Sequence, residues 1–195
     1  DVEPVAATEA TEFSGAGEYP ITLSGGDADN YHFVRHGSEL TVGEATQEIE
    51  FFAVDANATY GDEPLQIEAH ATSDLPVGFA SSNPDVLEVN GTQLKVRGAG
   101  VATITAYQDG SDNYFPAPEV NATVTVFTAE LHAIADAQTK AYLDSVPELT
   151  FQYEGFVDEE NASVLALEPE TATTATESSV AGEYPITLSG GEAAN

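Results

Sequence analysis

Residues 17–30, Gly-Glu-Tyr-Pro-Ile-Thr-Leu-Ser-Gly-Gly-Asp-Ala-Asp-Asn, return at 182–195 as Gly-Glu-Tyr-Pro-Ile-Thr-Leu-Ser-Gly-Gly-Glu-Ala-Ala-Asn. Laid at a constant offset of 165, residues 1–30 and 166–195 agree at 21 of 30 positions. Likeness of that degree at a fixed spacing marks an internal repeat. A repeat constrains the fold more than composition does, because each unit must bury its apolar face within itself or against its neighbours. We expect the chain to be a window of one period and a little more from a longer tandem array.

A fainter copy sits at half the period. Ala16-Gly17 aligns with Ala99-Gly100, Ile21-Thr22 with Ile104-Thr105, and Asp29-Asn30-Tyr31 with Asp112-Asn113-Tyr114, all at an offset of 83. Tyr60-Gly61-Asp62 aligns with Tyr142-Leu143-Asp144 at an offset of 82. The period thus reads as two related modules of about 82 residues each, near the size of an immunoglobulin-like sandwich. The expected domains are 1–45, the second half of a module of type A; 46–127, a complete module of type B; and 128–195, the first two-thirds or more of the next A.

Period-two alternation runs through these modules. Tyr19, Ile21 and Leu23 share one face of a strand expected over Glu18–Ser24, and Leu65, Ile67, Ala69 and Ala71 share a face of Leu65–Ala71. Short strands are also expected at Tyr31–Arg35, Ser38–Val42, Ile49–Val54, Val77–Phe79, Val86–Val89, Gln93–Val96 and Val101–Tyr107. Val120 with Thr123–Phe127, Leu131–Ala135, Leu149–Tyr153, Ser163–Leu167 and Tyr184–Leu188 complete the set. Gly25-Gly26-Asp27 reads as a turn, and Asn90-Gly91 as a two-residue hairpin turn. No amphipathic helix of 11 or more residues is present. Many short strands with turns every 8–12 residues predict an all-β fold of tandem immunoglobulin-like β-sandwich modules in a linear repeat array.

The net charge is −30, with Arg35, Lys95, Arg97 and Lys140 the only Lys or Arg side chains. Such a field repels nucleic acid and anionic lipid, so neither is an expected partner. It also keeps a long polymer soluble. Disorder is excluded by the alternating apolar strands. There is no cysteine, so neither disulfides nor thiol chemistry are available. No apolar run approaches the roughly 20 residues that span a bilayer.

Two stretches resemble known families. Pro76-Val77-Gly78-Phe79-Ala80-Ser81-Ser82-Asn83-Pro84-Asp85-Val86, followed by Gly98-Ala99-Gly100-Val101-Ala102-Thr103-Ile104-Thr105-Ala106, resembles bacterial immunoglobulin-like repeats. Gln138-Thr139-Lys140-Ala141-Tyr142-Leu143-Asp144, Pro147-Glu148-Leu149-Thr150-Phe151 and Gly182-Glu183-Tyr184-Pro185-Ile186 are similar to MBG domains, β-rich repeats in which glycine usually stands where this chain has Leu143. The resemblance implies alternating modules of a large extracellular bacterial surface protein of the Bacteroidota, an adhesin or filament. It supplies no catalytic residues.

Candidate sites are few. His32, His36, His70 and His132 are scattered, and no P-loop, HExxH or GxSxG motif occurs, so no enzymatic activity is expected. Asp27 and Asp29 in one loop, and Asp109 and Asp112 in its half-period counterpart, are the candidate calcium ligands, since calcium takes six to eight oxygens from a flexible loop. Ala194 replaces Asp29 in the second A copy, which favours instead a turn whose side chains bond their own backbone. Calcium is the one cofactor considered. Ser145, in Asp144-Ser145-Val146, resembles an O-glycosylation signal of that phylum. Asn57, Asn90, Asn121 and Asn161 open Asn-x-Ser/Thr patterns of the kind an Asn- and Thr-rich chain generates readily. A Lys–Asn isopeptide bond would need Lys95 or Lys140 in an apolar pocket beside an acid. Tyr31, Phe33, Tyr114 and Phe115 fit packing between modules better than sugar stacking.

The function expected is a structural repeat segment, a stalk or filament shaft, of an extracellular surface protein involved in adhesion or attachment. Its partners would be neighbouring modules, a homo-oligomeric fibre, and a surface or cell target. The rival is a glycan- or calcium-binding adhesive module.

Overall fold

Residues that alternate in polarity pair edge to edge wherever the apolar set can be covered, and the chain does so throughout. The computed structural model describes residues 2–53 and 56–193. In chain order its strands are β1 (Val2–Thr8), β2 (Gly17–Asp27), β3 (Ser38–Val42), β4 (Ile49–Ala53), β5 (Asn57–Thr59), β6 (Leu65–Ala71), β7 (Gly78–Ser81) and β8 (Leu87–Asn90). They continue with β9 (Gln93–Val96), β10 (Gly100–Tyr107), β11 (Val120–Phe127), β12 (His132–Ala135), β13 (Phe151–Glu154), β14 (Leu165–Thr173) and β15 (Ile186–Ala193). One short 3-10 turn, Ala162–Val164, is the only helical element among the described residues. The fold is all-β and of β-sandwich type; β1–β2, β2–β3, β4–β6, β6–β9, β8–β9, β12–β13 and β14–β15 pair antiparallel, and β5 pairs with β11 in parallel.

The chain divides into two compact units. The first comprises Asp1–Ala53, Ile67–Ala80 and Ile104–Ala122. It holds the three-stranded sheet β1-β2-β3 and the pairing of β4 with β6 from Ile49↔Ala71 onward. Ile49, Ala106 and Ala117 are buried together, with Ala69, Val77, Phe79 and Val120 packed against them. The second comprises Val54–Gln66, Ser81–Thr103 and Thr123–Asn195. It holds the β8–β9 hairpin, the β5–β11 pairing, and two separate hairpins, β12–β13 and β14–β15.

Strands of the middle stretch form two four-stranded sheets, β4-β6-β9-β8 and β5-β11-β10-β7. Their alternation is clean: Ala102, Ile104 and Ala106 of β10 are buried, as are Val124 and Val126 of β11 and Leu87 and Leu94 of β8 and β9. Each large aliphatic side chain buried this way contributes roughly 1.5–3 kcal/mol. Every buried hydrophobic residue among those described lies between Ile49 and Val126. Among the described residues the flanking A-type stretches carry only exposed or half-buried side chains.

The 165-residue repeat is reproduced in the hydrogen-bonded register. β1 pairs with β2 as Val2↔Asp27, Pro4↔Gly25, Val5↔Ser24, Ala6↔Leu23, Ala7↔Thr22 and Thr8↔Ile21. β14 pairs with β15 as Leu167↔Glu192, Pro169↔Gly190, Glu170↔Ser189, Thr171↔Leu188, Ala172↔Thr187 and Thr173↔Ile186. Every pair is displaced by 165. Smaller details follow suit: the Tyr19 hydroxyl donates to the Gly15 carbonyl at 2.9 Å and the Tyr184 hydroxyl to the Val180 carbonyl at 3.1 Å. The half-period holds too. The Thr59 N–H donates to the Asp62 carboxylate at 2.7 Å and the Ala141 N–H to the Asp144 carboxylate at 3.3 Å, closing the same turn 82 residues apart. Gly61 sits there at φ +96° and Leu143 at φ +70°. Leucine thus holds the backbone conformation that glycine adopts more cheaply.

Several expectations need correction. Gly25-Gly26 does not turn the chain: β2 runs through it to Asp27, and a Cβ on Gly26 would meet the Pro4 ring at 2.9 Å. Both glycines take positive φ, +66° and +85°, within the strand, and Gly26 alone passes close to β1. Tyr31–Arg35 is not a strand. The Arg35 guanidinium reaches back to the carbonyls of Gly25 and Gly26 and lies 5.9 Å from the Phe33 ring centroid, so a side chain anchors the segment instead of a ladder. Asn90 pairs with Gln93, so the hairpin turns at Gly91-Thr92, one residue later than expected, with Gly91 at φ +62°. The expected strand end at Val54 lies outside the described residues.

Candidate functional site

The four aspartates proposed for calcium are exposed. Asp27 ends β2 opposite Val2, and Asp29 lies in the turn that the Tyr31 N–H closes on the Ala28 carbonyl at 3.3 Å. Asp109 and Asp112 lie in a loop closed in the same way, Tyr114 N–H to Ser111 carbonyl at 3.3 Å, with the Gly110 N–H held by the Gln108 side chain at 2.7 Å. Among the described residues no group of three or more His, Cys, Asp or Glu side chains is placed to hold a metal ion. Ser145 is exposed, one residue beyond the turn that Asp144 closes. The Lys140 ammonium donates to the main-chain carbonyls of Ala141, Asp144 and Glu177 at 3.1, 3.1 and 3.3 Å. No helix among the described residues is long and apolar enough to cross a membrane.

Long-range hydrogen bonds gather at two places, near the module boundaries expected from the sequence. At the first, the Ala45 N–H donates to the Asn113 carbonyl at 2.8 Å and the Phe115 N–H to the Ala45 carbonyl at 2.9 Å. The Asn113 side-chain oxygen accepts the Ala16 N–H at 2.7 Å. A Cβ on Gly15 would meet that oxygen at 2.6 Å, so a larger residue there would push the Asn113 side chain aside. Beneath this clasp lies a buried amide pair: Gln47 donates to the Gln108 side chain and, at 2.7 Å, to the Phe115 carbonyl, while Ser73 donates to Gln47. Burying two amides is tolerable only because both are hydrogen-bonded.

At the second boundary the Tyr60 N–H donates to the Phe127 carbonyl at 2.8 Å, and the Tyr60 hydroxyl to the Glu160 carboxylate at 2.8 Å. That hydrogen bond, with burial and the charges of Glu160 and Asp158, raises the Tyr60 pKa above the ordinary phenol value. Gly61 lies against Val157, where a Cβ would sit 2.9 Å from the valine methyl. A cavity of about 110 Å³ adjoins them, lined among others by Ala99, Leu131 and Phe156. Tyr153 stacks edge-on against Phe151 at 5.1 Å and tilts over Phe156 at 5.3 Å. Its buried hydroxyl has no hydrogen-bond partner among the described residues, and burial, with the charge of Glu168, raises its pKa.

The sequence offers the aspartates of the Asp-Asn-Tyr loop as weak candidates beside a turn that bonds its own backbone; the structure adds the tie from the Ala16 N–H to the Asn113 side chain. The signal was there: Asn30, Asn113 and Asn195 all keep the amide while Asp29 gives way to Ala194. Tyr60 and Glu160 are 100 residues apart and carry no local signal of their pairing.

The model of the family MBG domain (YGX type) matches residues 131–195. That stretch is an MBG-type, β-rich repeat domain. The matched residues include the Tyr142-Leu143-Asp144 turn, whose middle position has the left-handed backbone natural to glycine. No curated protein matches the chain.

Proposed function

We propose that the chain is a structural segment, a stalk or filament shaft, of a large extracellular bacterial surface protein. In this reading MBG-type modules alternate with bacterial immunoglobulin-like modules, as in surface proteins of the Bacteroidota, and serve adhesion or attachment without catalysing a reaction. The observation that carries it is the hairpin repeated 165 residues apart in one register, with hydrogen bonds joining each module to the next. A chain that repeats structure and ties its boundaries with main-chain bonds transmits load along itself, since each repeat contacts its neighbours. The net charge of −30 keeps such arrays soluble and apart. Its partners are then its own neighbouring modules, further copies in a fibre, and a target borne elsewhere in the assembly.

A thermal melt in 5 mM calcium against chelator separates this reading from a calcium-stiffened adhesive module. A passive shaft melts within about a degree in both media. A rise of many degrees would make Asp27, Asp29, Asp109 and Asp112 cation ligands, because a ligand bound only to the native state stabilises it by mass action.

A further inference from the structure

In this sequence only Asn90 is followed by glycine. Asn57, Asn121 and Asn161 precede alanine, Asn30 and Asn113 precede tyrosine, and Asn83 precedes Pro84, which has no N–H to give up. An asparagine carboxamide can be attacked by the main-chain nitrogen of the next residue. A side chain on that residue obstructs the approach, whereas glycine leaves it open and has the freest backbone to bend.

The hairpin presents this pair openly. Asn90 ends β8 and pairs with Gln93 of β9, so Gly91 and Thr92 form the turn, and all three residues from 90 to 92 are exposed. Gly91 has φ +62°, and no atom lies within 4 Å of where its Cβ would stand. Its N–H has no hydrogen-bond partner among the described residues. Asp109-Gly110, a pair open to the same kind of attack, is held differently. The Gly110 N–H donates to the Gln108 side chain at 2.7 Å, and a Cβ there would meet the Tyr114 carbonyl at 2.6 Å. That nitrogen is engaged and walled in; the nitrogen of Gly91 is neither.

We propose that Asn90 is a site of spontaneous deamidation and that the reaction loosens the β8–β9 hairpin. The Gly91 nitrogen gives up its proton and bonds to Asn90 Cγ; the Cγ–Nδ2 bond breaks and the amide leaves as ammonia. Water then adds to either carbonyl of the cyclic imide and opens it to aspartate or isoaspartate. Nothing is oxidised or reduced, and water is the only co-reactant. Aspartate adds a negative charge at the tip. Isoaspartate also routes the main chain through the former side chain, which lengthens it by one carbon between residues 90 and 91. The pair Asn90↔Gln93 then no longer closes in register, and next to it stands Val89↔Leu94, where Leu94 is fully buried. Register decides which face each side chain takes, so a slip at the tip disturbs that burial. The inference rests on this hairpin and holds whether or not the chain is a surface shaft.

The test is to age the 195-residue chain for days in mildly alkaline buffer and locate the products by tandem mass spectrometry of its peptides. Conversion at Asn90 should outrun that at Asn57, Asn121 and Asn161 by at least about tenfold, since only there is the next residue glycine. Asn90→Gln should remove the product while leaving Gly91 in place. Asp109 should isomerise only when the chain is aged in denaturant, where the Gln108 contact is lost. Amide exchange between Leu87 and Val96 should be faster in the isoaspartyl fraction than in fresh protein. Conversion at Asn90 no faster than at the asparagines before alanine overturns the proposal. Isomerisation of Asp109 in the folded chain at the rate of Asn90 overturns the protection argued from the structure, and unchanged exchange in the hairpin overturns the loosening.

Discussion

Replacing Tyr60 with Phe removes one oxygen and leaves the ring. In the structure that oxygen donates a 2.8 Å hydrogen bond to the Glu160 carboxylate. A hydrogen bond to a charged group is worth about 1.5–3 kcal/mol when buried; both residues here are half-buried, which brings the expected loss to about 1 kcal/mol. Over a chain of this length that lowers Tm by about 2–4 °C in calorimetry at pH 7. Tyr60→Phe, Glu160→Gln and the double variant form a cycle, and the two single losses should overlap by most of that kcal/mol. The pH dependence has a definite sign. The folded-state pKa of Tyr60 lies above the unfolded value of 10.0, so the native state holds its proton longer. The contribution is therefore complete below pH 10 and is lost as pH rises through the raised value. The gap between wild type and Tyr60→Phe should stay constant from about pH 7 to 9 and close above about pH 10, the ordinary phenol range. Additive single losses, or a gap unchanged at pH 11, would refute the bond as a tie between modules.

At the first boundary, Gly15→Ala and Asn113→Ala should each weaken the clasp, by about 1 kcal/mol for the lost hydrogen bond. Both act on the same contact, so hydrogen exchange at the Ala16 amide should rise equally in each single variant and no further in the double. Tyr153→Phe should leave the fold unharmed and raise stability by about 1 kcal/mol or more in denaturant unfolding, because it removes a buried hydroxyl without a partner among the described residues.

The middle stretch was the most legible part of the sequence. Leu65–Ala71 and Gln93–Val96 form strands over the expected residues, because both faces of their alternation are unambiguous. The repeat could be counted from residues alone, and the structure carries it to the level of single hydrogen bonds. β1 and β14 were harder to see. Each has a proline among small residues, Pro4 and Pro169, and few large apolar side chains to mark a face. Gly25-Gly26 misleads for a different reason: two glycines at positive φ can sit within a strand as well as in a turn, and Gly26 also makes room for the Pro4 ring. The boundary contacts were invisible, since Gly15 with Asn113 and Tyr60 with Glu160 are long-range pairs with no periodicity.

The central claim, that the chain is part of a surface shaft, is tested most directly by immunogold electron microscopy. Antibody raised against the 195-residue chain is applied to intact cells of the source organism and to permeabilised ones. The account predicts gold on intact cells, in rows along extended structures, with no gain on permeabilisation. Gold seen only after permeabilisation would contradict it.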